Sequence, residues 1–512
     1  MSSRTHYDEV LYPSALYPQT HPDCLATLGT LLGLTPTPVE SCRVLELGCG
    51  DGQNLIAMAL TLPGSTFCGI DLASVPIEKG MALARELGVT NVSLLQRDLL
   101  EIPDDFGDFD FIIAHGLYSW VPQAVREKIL AIGSRCLSEN GIAYISYNAQ
   151  PGNHLRELAR GFMRYHAAHF KTPSDQIKQA RAFLQFMAGN FADNDAIKQS
   201  LQQQLKRVNT YPDAALFHDD LSACNTAFYF HEFAASAARH GLQFLAEADI
   251  TEMQTDGLPQ ECVRLLEELP PNDAITREQY LDFFRARAFR QTLICRKEHA
   301  VRPSPDETQV SKLYVASSAK PVEQEVDVTS GEAAEFRSAN NAVIATQQPL
   351  IKAALLHLGK IWPQRISFVA LLALAKDLCG SAEESNSDAL SRFLLKTWEL
   401  GFTDLHTHPG KFSVEISALP KASPLARLQI ESSDTVATLR HTTMKLDGAL
   451  SRELLKLLDG TRSRSVILEK LVDFVAAAKK LPEMERREIT RQIDEQLDAN
   501  LEQAARGGLL CT

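Results

Sequence analysis

Residues 44–56 constrain the fold of this chain more than any other stretch. Val44-Leu45-Glu46-Leu47 is a short apolar run, Gly48-Cys49-Gly50-Asp51-Gly52 is a glycine turn, and Gln53-Asn54-Leu55-Ile56 opens a helical pattern. A buried strand that passes through a glycine turn into a helix is the ligand-binding corner of a parallel α/β sheet. Asp71 stands 21 residues beyond Gly50, closing a second strand-like run, Phe67-Cys68-Gly69-Ile70. An acid at the end of the second strand is placed to accept hydrogen bonds from ribose hydroxyls. Together these features predict an enzyme that holds a nucleoside cofactor.

The alternation continues downstream. Strands are expected at 43–47, 66–70, 92–96, 109–114 and 141–147, with helices at 53–62, 75–87 and 122–137. Such spacing predicts a parallel sheet with right-handed crossovers. A helical stretch interrupts it over 155–208. A helix at 230–240 and strands at 241–246 and 289–295 then bring the sheet to seven strands.

A chain of 512 residues is too long for one core. The expected division is an N-terminal arm and helix over 1–40, an α/β domain over 41–298 with a helical insertion at about 155–225, and a linker with edge strands over 299–340. Two small units follow, at 341–435 and 436–512. Three helices and a β element in the first make it winged-helix-like, and the second reads as helical or winged-helix-like.

The glycine spacing is GxGxG, so its third glycine falls one position early for a dinucleotide site. Glu46 precedes it, and a carboxylate there would repel a pyrophosphate. It suits a ligand carrying a positive amino or sulfonium group, which favours S-adenosylmethionine over NAD. Asp98-Leu99, after the third strand, supplies an acceptor for an adenine amine and a backbone donor for a ring nitrogen.

At this point the chain resembles the class I S-adenosylmethionine-dependent methyltransferases. Glu46, Leu47, Gly48, Cys49, Gly50 and Gly52 are similar to the family's first motif, Asp71 to its ribose-binding acid, and Asp98-Leu99 to its adenine-contacting pair. His115-Gly116 is similar to the segment facing the methionine portion. Asn54 and Leu72 adjoin these motifs and join the expected cofactor set. Tyr7-Asp8-Glu9-Val10, Pro18-Gln19-Thr20-His21-Pro22-Asp23, His115 through Pro122, Tyr147-Asn148 and Leu458-Asp459-Gly460-Thr461-Arg462 further resemble bacterial methyltransferases that carry a regulatory domain. Some of those relatives methylate lysines of outer-membrane proteins. The resemblance implies a Rossmann-like methyltransferase sheet and a protein acceptor, among which an outer-membrane or surface protein is a candidate; a small-molecule methyltransferase and a non-catalytic S-adenosylmethionine-binding scaffold are the alternatives. In this chain Ala149-Gln150-Pro151-Gly152-Asn153-His154 lacks an aromatic residue that those relatives carry, which bears on the acceptor pocket.

Methyl transfer to a lysine needs an uncharged amine, aligned with the donor and shielded from water. Tyr118, Trp120 and Tyr147 follow the fourth and fifth strands and are expected to form an aromatic cage at the sheet's carboxyl edge. His115 and His21 are expected to accept a proton or to bind the donor's carboxylate. The arm bearing Tyr12, Tyr17, Thr20 and His21 is expected to fold over the cofactor as a lid. Elsewhere histidines lack a third ligand at metal-binding spacing, so no metal is expected.

The formal charge of -13 disfavours nucleic acid as a partner. In the C-terminal half Arg462, Arg464, Lys470, Lys479, Lys480, Arg486 and Arg487 are interleaved with acids rather than gathered on one face. Substrate docking or a homodimer is the expected role there. Ten cysteines without a CxxC pair, no apolar N-terminal leader beyond Met1, and no run of 18 apolar residues predict a cytoplasmic protein without membrane insertion.

Overall fold

The computed structural model describes residues 5–13, 15–192, 195–271, 273–380, 386–479 and 483–511. Residues 1–4 and Lys480, used in the sequence reading, lie outside them. The chain divides into two compact units. The first gathers residues up to Ala15, Leu28–Ile56 and Gly64–Ser304, and the second gathers Leu16–Thr27, Ala57–Pro63 and Pro305–Thr512.

The first unit is built on seven strands: β1 (Arg43–Leu47), β2 (Thr66–Asp71), β3 (Val92–Gln96), β4 (Phe109–Ala114), β5 (Leu137–Asn148), β6 (Leu242–Glu247) and β7 (Phe289–Arg296). Their order is β3-β2-β1-β4-β5-β7-β6. β1 to β5 are parallel, and β7 runs antiparallel to both β5 and β6. The fold class is therefore the expected one.

Helices in this unit include α1 (His6–Glu9), α2 (Pro22–Leu31) and α3 (Gln53–Thr61), both of which the second unit shares, α4 (Ser74–Glu86) and α5 (Gln123–Cys136). The insertion is three helices, α6 (Asn153–Ala167), α7 (Pro173–Asn190) and α8 (Ala196–Thr210). They close over their own apolar core, in which Met163, Leu184, Leu201 and Val208 are buried. A short α9 (Asp213–Ala215) runs into a π-helical turn at Leu216–Asp220, and α10 (Phe230–Arg239), α11 (Gln260–Glu267) and α12 (Ala274–Arg285) complete the unit.

Side-chain parity on β5 sorts the sheet's two faces. Ala143, Ile145 and Tyr147 point into a core shared with β1, β4, α5 and α10. Tyr144 and Ser146 point the other way, where they meet His115 and Gly116. On β7, between β5 and β6, the fully buried Arg290 pairs with Glu247, Glu278 and Asp282 and lies over the Phe230 ring at 4.0 Å. Burying one guanidinium is tolerable because every face of it meets a carboxylate or a π cloud.

In the second unit the strands are β8 (Tyr314–Ala316), β9 (Lys320–Pro321), β10 (Ala334–Arg337), β11 (Val343–Thr346), β12 (Ile366–Ser367), β13 (Asp404–His406), β14 (Thr435–Ala437) and β15 (Thr443–Lys445). Residues 299–340, expected as a linker, supply the central strand of the sheet β12-β8-β13 and two strands of β11-β10-β9. Strands of two to four residues are too short to show period-2 alternation, so the sequence hides them. Helices Ala449–Leu457, Arg464–Lys479 and Glu483–Arg506 pack with the β14–β15 hairpin around Leu455, Leu458, Leu471 and Leu497. No helix among the described residues is long and apolar enough to cross a membrane.

Candidate functional site

The glycine turn sits at the carboxyl end of β1, as the sequence predicts, and its shape follows from two constraints. Gly50 has φ +57, a region that side-chain-bearing residues avoid, and nothing lies within 4 Å of where a Cβ would project. Gly52 has φ +68, and a Cβ there would come within 2.6 Å of Leu94. The turn is tied to the sheet because Gly48 and Cys49 N–H groups both donate to the Ile70 carbonyl, at 2.8 and 3.1 Å.

Asp71 completes the tie. Its Oδ2 accepts from Gly50 N–H at 2.8 Å and its Oδ1 from Ala73 N–H at 2.9 Å. Each oxygen retains a second lone-pair direction for a ligand hydroxyl. Burial pushes its carboxyl above the usual range, against those two hydrogen bonds. Leu72 beside it is 51% exposed, an apolar surface at the strand end. Asp98 caps the following short helix through Leu100 N–H, and Leu99 is buried beneath it.

Glu46 is the least conventional group here. Its side chain is buried, Oε1 accepts from Asn54 Nδ2 at 3.1 Å, and Oε2 has no hydrogen-bond partner. Burial pushes its carboxyl up to about 8. An orphaned buried carboxylate oxygen beside a glycine turn fits a ligand that brings a cationic N–H, as the amino group of S-adenosylmethionine would. The residues present therefore fit that cofactor.

On the neighbouring strands, His115 Nδ1 lies 2.8 Å from the Tyr144 hydroxyl, which donates in turn to Gln291 Oε1 at 3.1 Å. Burial lowers the His115 imidazole to about 4, so it is neutral at pH 7. Gly116 N–H donates to Ser146 Oγ at 2.8 Å. Tyr144 and Ser146 were missed in the sequence, although strand parity could have found them: they occupy the face opposite Tyr147.

Three expected site residues are corrected. Tyr118 and Tyr147 are buried core rings and form no cage. Tyr147 stacks on Phe233 at 4.3 Å and bonds Thr292, and Tyr118 meets Phe228 and Phe233 edge-on. Both side chains fill the apolar face against α10, where apolar area is worth most. His21 belongs to the second unit, with its ring 5.2 Å from His441 and 6.3 Å from His408. It accepts from Asp23 N–H at 3.2 Å. Asp23 in turn accepts from His406, Thr407 and Arg365. His21 is thereby packed in a structural cluster.

The arm near the cofactor corner is residues 5–12, which share only Tyr12 with the expected lid. Asp8 Oδ1 accepts from Val75 N–H at 2.9 Å, binding α1 to the start of α4. Tyr7 stacks on His218 at 4.3 Å, and its hydroxyl feels the Asp71 and Asp219 carboxylates. Trp120 Nε1, Gln150 Oε1 and Asn153 Oδ1 are buried without hydrogen-bond partners. Gln150 and Asn153 stand in the segment Ala149–His154, which the sequence reading connects with the acceptor pocket. Among the described residues no group of His, Cys, Asp or Glu could hold a metal ion.

With this geometry established, comparison with known proteins gives a consistent result. Residues 38–209 match the family model "Methyltransferase domain", residues 212–296 "Predicted methyltransferase regulatory domain", and residues 419–509 "PKMT, C-terminal winged helix domain". An uncharacterized protein of Rickettsia prowazekii (strain Madrid E) is 32% identical over 479 residues, 92% of this chain and 86% of that protein. A second from the same organism is 36% identical over 251 residues, 48% of this chain and 98% of that one. The structure of PKMT2 from Rickettsia typhi in complex with AdoHcy is similar across 98% of this chain and 99% of that one, with 27% identity and a TM-score of 0.85. The chain belongs to the class I S-adenosylmethionine-dependent methyltransferases, in the group that joins a methyltransferase regulatory domain to a PKMT-type winged helix.

Proposed function

We propose that this protein is a protein-lysine N-methyltransferase that uses S-adenosylmethionine as donor. The observation that carries the reading is Glu46, a buried carboxylate with an unpartnered oxygen at the glycine turn. The full-length likeness to PKMT2, solved with AdoHcy, supports it.

Bound S-adenosylmethionine supplies a methyl group on a positive sulfur, open to in-line attack by an amine lone pair, with the C–S electron pair returning to sulfur. Glu46 and Asn54 receive the donor's amino end, the Gly48–Gly52 turn lets backbone approach it, and Asp71 receives the ribose. Leu72, Asp98 and Leu99 border the base. His115, held neutral by burial and oriented by Tyr144, provides a polar wall without adding a positive charge that would repel the sulfonium. Trp120 lines the acceptor side.

The acceptor is a lysine of a protein, with an outer-membrane or surface protein as the class of substrate. The winged-helix region serves docking or homodimer formation. Incubation of the pure protein with methyl-labelled S-adenosylmethionine and a bacterial extract tests this. Label in protein that hydrolyses to methyl-lysine is expected. Label only in the small-molecule or nucleic-acid fraction would overturn the lysine assignment.

A further inference from the structure

The π-helical turn at Leu216–Asp220 presents two adjacent acids to different surroundings. Asp220 is fully buried and takes both nearby guanidiniums, Arg156 at 2.9 Å and Arg207 at 2.9 Å. Among the described residues Asp219 makes no such ion pair, and Arg156 and Arg207 act on it only at longer range. Its carboxylate takes the Tyr12 hydroxyl at 3.3 and 3.5 Å, weak contacts at a side chain that is 42% exposed. Insertion of a π turn re-aims consecutive side chains, and such turns cluster at functional positions.

Two further features place this carboxylate at the business edge of the sheet. Asn148, the last residue of β5, donates to Asn225 Oδ1 at 2.7 Å, and Asn225 donates to the Asp219 backbone carbonyl at 2.9 Å. The turn is thus anchored to the carboxyl end of the central strands. In addition, Tyr7 stacks on His218, the neighbour of Asp219, while Asp8, the neighbour of Tyr7, accepts from Val75 N–H at the start of α4, so one short arm touches both the turn and the cofactor corner.

His218 carries a second signal. It is 1% exposed, and its Nε2 donates to the Val10 carbonyl at 2.6 Å. A neutral ring that donates from Nε2 offers a lone pair at Nδ1, and this atom is buried without a partner. A buried acceptor left unmatched costs free energy unless a donor arrives. The Tyr7 ring is stacked on His218 and walls the site, while the exposed Tyr12 ring, tilted at 5.9 Å from His218, offers a π face to a cation.

We propose that Asp219, flanked by Tyr7, Tyr12 and His218, is the binding site for the acceptor's alkylammonium group. The site is open at Tyr12, which suits a side chain delivered by a polypeptide. Asp219 binds and orients the cation, and the proton it sheds before attack passes to water. This rests on the lysine-methyltransferase reading above and names the residue that selects an amine.

The test is tritium transfer from labelled S-adenosylmethionine to graded bacterial extract protein, using the full-length chain. Asp219→Asn is expected to raise the half-saturating extract concentration at least tenfold, with donor affinity by calorimetry unchanged. Tyr12→Phe, which keeps the carboxylate, is expected to cost no more than about threefold, whereas a merely structural Tyr12–Asp219 tie would make the two losses equal. A half-saturating concentration within twofold of wild type for Asp219→Asn, or equal losses, overturns the proposal. Should Asp219→Asn not fold, inhibition of the wild type decides: n-butylammonium must compete with the acceptor, and equal inhibition by 1-butanol overturns it. No transfer by wild type despite donor binding removes the amine-acceptor reading itself.

Discussion

Glu46 and Asn54 meet across the glycine turn, with Asn54 Nδ2 donating to Glu46 Oε1 at 3.1 Å while Oε2 is left unmatched. The pair closes the base of the cofactor corner from a strand and the helix that follows it. A carboxyl raised to about 8 by burial is mostly protonated at pH 7.

Donor binding should therefore release a proton. A cationic amino group placed against Glu46 favours the carboxylate, so roughly one proton per site is expected to leave at pH 7. Calorimetric titration in two buffers of different ionisation enthalpy measures it. Glu46→Gln should abolish the release and weaken the donor, and an unchanged release in that variant would remove Glu46 from the site.

Asp71→Ala removes the acceptor of two backbone N–H groups together with the ribose contact. Loss of about tenfold or more in donor affinity is expected, on the order of 1.4 kcal/mol or above. Calorimetry showing full affinity would make Asp71 a turn-holding residue alone.

Tyr147 and Tyr144 should separate stability from turnover. Tyr147→Ala empties a packed aromatic site and is expected to cost about 3–5 kcal/mol in denaturant unfolding. Tyr147→Phe loses only the Thr292 bond, about 1 kcal/mol, and keeps its rate. Tyr144→Phe should leave stability nearly intact and lower the methylation rate by freeing His115. A large rate loss in Tyr147→Phe would return that ring to the acceptor site.

Mild acid should destabilise the chain. His441 is neutral in the fold, lowered by burial to about 3, and His21 is held well below 6.5. The unfolded chain takes up protons as pH falls through 6.5 and the folded one does not, so stability present above 6.5 drains away toward 3. At pH 5 this amounts to roughly 2 kcal/mol for one such histidine. Thermal melts at pH 7.5 and 5 read it. His441→Asn, chosen because Asn tolerates the φ of +57 there, should reduce the acid loss, and an equal loss would place it elsewhere.

The seven strands and the cofactor corner were legible because each depends on local pattern. Glycines, β-branched runs and the acid at Asp71 declare themselves within a few residues. The acceptor side was legible only in part. Tyr147 and Tyr144 are three residues apart on one strand, and nothing in composition tells which face will receive α10. His21 follows the aromatic arm residues Tyr12 and Tyr17, yet its partners His408 and His441 are hundreds of positions away. Asp219 sits in a π turn, for which no sequence period exists. β8 escaped because three residues cannot show an alternation.

The β5 core face has a consequence for how such chains change over time. Comparison divides the first unit into two modules, meeting near residue 210. Yet Tyr147 stacks on Phe233, and β5 pairs with β7 over Ala143–Asn148, so the strand from one module is completed by a helix and a strand from the other. Neither module could be traded for a foreign counterpart without leaving an open sheet edge and an emptied aromatic face. The two have to be inherited as a pair, and a protease or an engineer seeking a minimal enzyme should find no viable cut at their boundary.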